Sequence, residues 1–112
     1  MPDDKAVLEE SHDERGTCVR RVRLTPEGSL RLEGHDLGPM VQQFFGHSEY
    51  EFVRGVSAPG VARLRTALGL GTDDDLIAAL AAEFQGEGGS NRLEKFLETH
   101  GIESEFWNRI GD

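Results

Sequence analysis

Residues 35–52, HDLGPMVQQFFGHSEYEF, change their hydrophobic period in mid-segment. Up to Gly46, Met40, Val41, Phe44 and Phe45 form i, i+4 pairs on one face of a short helix opened by Pro39. Beyond it, Tyr50 and Phe52 alternate with polar residues, which is the period of a strand. A chain that sets a helical stripe and a strand face so close together is built around helices packed on a sheet. The aromatics Phe44, Phe45, Tyr50 and Phe52 are expected to close that sheet against the helices.

The flanking sequence continues the pattern. Residues 17–25, TCVRRVRLT, are a β-branched run that stops at Pro26-Glu27-Gly28, and residues 29–33 alternate with Leu30 and Leu32 on one side. Together they predict a hairpin across a Pro/Gly turn, followed by a loop over 34–38. Residues 49–57 alternate as a third strand. Ser57-Ala58-Pro59 opens a helix with Val61, Leu64 and Leu68 on its stripe and Gly69 as its stop. Thr72 with Asp75, and Asn91 with Glu94, read as the caps of two more helices. These carry Leu76, Ile77, Leu80 and Phe84, and then Leu93, Phe96 and Leu97, with Gly101 ending the second. A final strand holds Phe106, Trp107 and Ile110, and the large Trp107 ring is expected to pack internally. The order β-β-α-β-α-α-α-β predicts an α+β fold, with helices on one face of a small, mostly antiparallel sheet.

Composition bounds the function. The chain has 112 residues and a formal net charge of −9. Residues 15–112 read as a single domain, and residues 1–14, dense in charge, as a disordered acidic tail. A lone cysteine, Cys18, rules out an intramolecular disulfide and fits a reducing compartment. The N-terminal residues have no apolar signal core, and no run reaches the roughly 18 apolar residues of a membrane span. The expectation is a cytoplasmic protein, monomeric or weakly dimeric, that binds neither membrane nor nucleic acid, since acidity repels phosphate.

Four groups of residues could carry chemistry. His35, Asp36, His47 and Glu49 offer metal-ligand types, although their spacing matches no zinc motif. Arg20 and Arg54 fall on rows that are otherwise apolar, where an arginine must be paired, reach the rim, or line an anion-binding recess. Arg21, Arg23 and Arg31 share the opposite face, over which the acidic tail is expected to fold back loosely. Asp73, Asp74 and Asp75 stand at a helix start, where the dipole favours them and where a basic partner could also dock. Cys18 in an apolar row reads as packed rather than reactive. No nucleophile elbow, phosphate loop or dinucleotide fingerprint is present, and no cofactor is called for.

The stretch from Val22 to Leu68, with DLGP, FFG and SEYEF before a Ser-Ala-Pro helix start, resembles a group of small acidic actinobacterial proteins of unassigned function. The C-terminal HGIESEFWNRIGD is similar in kind. The resemblance implies one shared fold and carries over no catalytic residues. The leading expectation is a non-catalytic interaction protein that binds a basic partner, immunity- or antitoxin-like by size and charge only. The alternative is a small metal-dependent enzyme using the His/Asp/Glu group at residues 35–49.

Overall fold

The computed structural model of the chain describes residues 4–14, 16–39 and 49–111. Five strands form one antiparallel sheet in chain order: β1 Lys5–Asp13, β2 Gly16–Leu24, β3 Leu30–Leu37, β4 Glu49–Val56 and β5 Glu105–Gly111. Three helices, α1 Ala58–Ala67, α2 Leu76–Phe84 and α3 Gly89–Thr99, lie between β4 and β5 in sequence. The α+β class and the antiparallel sheet are those the periodicity predicts. The expected helix over 39–46, with Met40, Phe44 and Phe45, lies outside the described residues.

Period-2 alternation divides the sheet into two faces. Val22, Leu30, Leu32 and Val56 point to the helices and are almost wholly buried. They meet Val61 and Leu64 of α1, Leu76, Ile77, Leu80 and Phe84 of α2, and Leu93 and Leu97 of α3. The helical stripes named from the sequence therefore form the core. Among the elements, α2 packs on β1 and β2, and α3 packs on β1 and α2.

The largest correction concerns the tail. Residues 5–13 are not disordered; they form β1, an edge strand paired with β2 from Lys5↔Arg23 to Asp13↔Gly16. Their charge density hid a short apolar signal, Ala6-Val7-Leu8, of which Leu8 is 2% exposed in the core. A register shift between Val7 and Glu9 then turns Glu9 toward the helices as well. Since this segment is a strand beside β2, it does not fold back over the arginine face.

Helix ends follow the sequence at both ends of α1 and at the C-terminus of α3, and depart from it at the N-termini of α2 and α3. Ser57 caps α1, its hydroxyl accepting from the Gly60 N–H. At the C-termini of α1 and α3, Gly69 (φ 74°) and Gly101 (φ 66°) adopt the left-handed conformation. Paired bonds, Leu70 N–H to Arg65 and Gly69 N–H to Thr66, then Ile102 N–H to Leu97 and Gly101 N–H to Glu98, complete a Schellman end in each case. Helix α2 starts later than expected, because Asp75 rather than Thr72 is its N-cap, accepting from Ala78 N–H. Helix α3 starts earlier, with Gly88 rather than Asn91 as its N-cap, and that glycine offers no side chain to cap it. Glu9 of β1 supplies it: one carboxylate oxygen accepts from Gly88 N–H and the other from Ser90 N–H, both at 3.0 Å. Glu94, expected to cap α3, turns instead to Arg54.

Candidate functional site

Beyond the helical cover, β3 does not stop at Gly34. It runs on through Leu37, so His35 and Asp36 are strand neighbours whose side chains leave opposite faces. That extension puts Asp36 on the face opposite His35 and Glu49.

On the helix-side face, Asp36 lies opposite Cys18, and Gly34 opposite Arg20. The Arg20 guanidinium donates to both Asp36 oxygens, at 2.6 and 3.2 Å. Burial works against the Arg20 charge, but the Asp36 hydrogen bond and charge outweigh it and raise its pKa. The same guanidinium lies 4.8 Å from the centroid of the Phe52 ring. Phe52 stacks on Phe106 at 5.8 Å, and Arg54 covers Phe106 at 5.2 Å. Arg54 donates to Glu94 at 2.9 Å and to the Ser104 hydroxyl at 3.0 Å. The two arginines thus bracket an aromatic pair, each committed to a carboxylate of this chain, and they line no shared anion recess. Tyr50 and Phe52 flank the aliphatic core rather than plugging it, both being half-buried. Burial first, then a hydrogen bond to Asp36, pushes the Cys18 thiol up to about 11, in keeping with a packed rather than a reactive cysteine.

The opposite face carries charge in rows. Glu33 sits among Arg21, Arg23 and Arg31 at 3.7, 3.6 and 3.4 Å, loose ion pairs rather than tight hydrogen bonds. One row further, β3 and β4 set His35 opposite Glu51, with Glu49 two residues along on the same side. His35 Nε2 lies 2.7 Å from Glu49 Oε1 and 3.7 Å from Glu51 Oε1, and one ligand atom from each of the three falls within 4.8 Å of the others. The hydrogen bond with His35, then one shared with Glu51, holds the Glu49 carboxyl below the usual carboxylate range. Arg109 of β5 approaches Glu51 at 3.5 Å.

Of the expected metal set, His35 and Glu49 are therefore brought together. Asp36 is on the other face, bound to Arg20. His47 lies outside the described residues. Glu51 was missed, although its position two residues beyond Glu49 in an alternating strand puts both carboxylates on one face. Asp73, Asp74 and Asp75 are exposed: Asp74 accepts from Gly71 N–H, Asp75 caps α2, and Asp73 makes no ion pair with any described residue. Trp107, expected to be internal, is 54% exposed on the helix-free face, opposite Val53. Among the described residues no helix is long and apolar enough to cross a membrane. Comparison of the chain with protein-family models, with curated proteins and with solved structures finds no match to any of them.

Proposed function

We propose that this is a non-catalytic interaction protein that binds a basic partner, working in the cytoplasm in the manner of an immunity protein or antitoxin. The observation that supports the reading is where charge is left uncompensated. The sheet arginines Arg20, Arg21, Arg23, Arg31, Arg54 and Arg109 each face a carboxylate of this chain. In residues 57–104, eight acidic side chains stand against four basic ones. Among those acids Asp73, Glu83, Glu87 and Glu98 are exposed. A basic surface meeting this helical side would be drawn in by long-range attraction, which acts mainly on the association rate. The test is capture of a stoichiometric basic protein from native lysate, identified by mass spectrometry, followed by binding kinetics. The double variant Asp73→Lys/Glu98→Lys should slow association about tenfold at low salt. No stoichiometric basic partner, or an association rate indifferent to the variant and to salt, would sink the reading.

A second reading is favoured by the convergence of His35, Glu49 and Glu51, which offers one nitrogen and two carboxylate oxygens to a divalent ion. Arg109, 62% exposed, would have to swing aside. Zinc titration by calorimetry should then give one site per chain that His35→Ala and Glu51→Gln each weaken. A flat titration of the unmodified protein removes this reading and leaves the first untouched.

A further inference from the structure

We infer that β5 is a self-pairing edge, through which two copies of the chain join their sheets into one continuous antiparallel sheet. It does not rest on the basic partner, and it shares with the metal reading only Arg109, which approaches Glu51. Among the described residues β5 is the last strand of the sheet and pairs only with β4. It runs for seven residues with no register shift, no proline and no chain segment bonded to its outer side among the described residues. A regular open edge of that length is a template for another strand unless something blunts it. Its side chains add an apolar surface on both faces, with Phe106 51% and Trp107 54% exposed.

The occupant follows from the charge pattern. Two copies related by a two-fold axis must centre their antiparallel pairing on a residue, because directly opposed residues exchange their bonds in register. Centred on Trp107, the strand sets Glu105 opposite Arg109 of the second copy, and Arg109 opposite its Glu105, on either side of a Trp107–Trp107 pair. All three share the helix-free face. Centred on Asn108, the strand would instead oppose Glu105 to Gly111 and leave those charges unmatched. The Trp107-centred register satisfies edge backbone, exposed indole and opposite charges together.

Trp107 is the only tryptophan, so its fluorescence reads this surface alone. Sedimentation of the full chain should show a concentration-dependent shift from 12.4 kDa toward twice that mass, with a parallel blue shift of emission. Glu105→Arg and Arg109→Glu should each weaken dimerisation about tenfold by replacing two attractive cross-strand pairs with repulsive ones, and the double exchange should restore it. Trp107→Ser should leave a folded monomer. A monomer at every concentration, a dimer that survives Trp107→Ser, or a double exchange no better than the single reversals would overturn the assignment. Far-ultraviolet circular dichroism of each variant separates lost pairing from lost folding.

Discussion

Among the described residues β1 and β5 each have a strand on one side only, yet the chain treats them oppositely. On β1 the Leu8 carbonyl already accepts from the Gly86 N–H, a bulge interrupts the register after Val7, and Glu9 reaches across to cap α3. Glu10, His12 and Asp13 line the rest with polar side chains. β5 has none of these devices. It presents two large aromatic rings and an unbroken register with β4. One edge is stapled into the helical layer and is therefore part of what makes the fold; the other is an addition to a sheet that is already closed from β1 to β4. Substitutions at β1 should register as stability, and substitutions at β5 as association.

The strongest way to break that comparison is Leu8→Ala. Leu8 is 2% exposed beneath the helices, and removing it opens a cavity in the core. The cost should be about 2–5 kcal/mol of unfolding free energy, read by urea denaturation. A loss below about 1 kcal/mol would mean that β1 is not integral to the fold. Next, Gly34 and Gly55 test where side chains approach the sheet closely. A Cβ on Gly34 would lie 2.0 Å from the Phe52 ring, whereas one on Gly55 meets nothing within 4 Å. Gly34→Ala should displace Phe52 from between Arg20 and Phe106 at about 1–3 kcal/mol, while Gly55→Ala stays within about 0.5 kcal/mol.

These contrasts show what was legible in the sequence. Alternation marked the start of β3 and β4, a β-branched run marked β2, and the apolar residues Phe106, Trp107 and Ile110 marked β5. The reading failed at β1, where charge outweighed three apolar residues, and at 34–38, where His35 and Asp36 look like loop chemistry but are paired strand residues. At α2 the cap is local but falls on Asp75 rather than Thr72; at α3 it was misassigned because the expected partner was local and the real one is not. Glu9 caps a helix 79 positions along the chain, and Glu94 answers an arginine 40 positions back. Trp107 was expected inside because large rings usually are; an edge strand with a helix-free face is the exception the chain order alone does not announce.

Cys18 probes the boundary between the covered and open parts of the helix-side face. With its thiol pushed up to about 11, little thiolate is present at pH 8. Iodoacetamide should label the folded protein at least about tenfold more slowly than the chain in denaturant, the lower thiolate fraction being partly offset by higher intrinsic nucleophilicity. A folded-state pKa above the unfolded value also fixes the sign of the stability effect. The contribution is complete below the unfolded pKa near 9 and is lost as pH rises through about 11. Asp36→Asn removes a hydrogen bond and a charge that both raise the pKa, so labelling should quicken; unchanged labelling would disconnect Cys18 from the Arg20–Asp36 pair.

Glu9→Ala leaves the N–H groups of Gly88 and Ser90 without their carboxylate, at about 1–2 kcal/mol, and Glu9→Gln should recover part of that. The smallest effect on stability is expected at the other edge. Trp107→Ser removes a ring that is more than half exposed and lies opposite Val53 in the strand pair, so unfolding free energy measured at low concentration should move by no more than about 0.5 kcal/mol. At high concentration the same variant should lose whatever extra stability the unmodified chain gains by self-association, since anything that binds only the folded state stabilises it by mass action. A concentration-independent loss of 2 kcal/mol or more, on the order of a buried ring, would place Trp107 in the core and make the two edges alike.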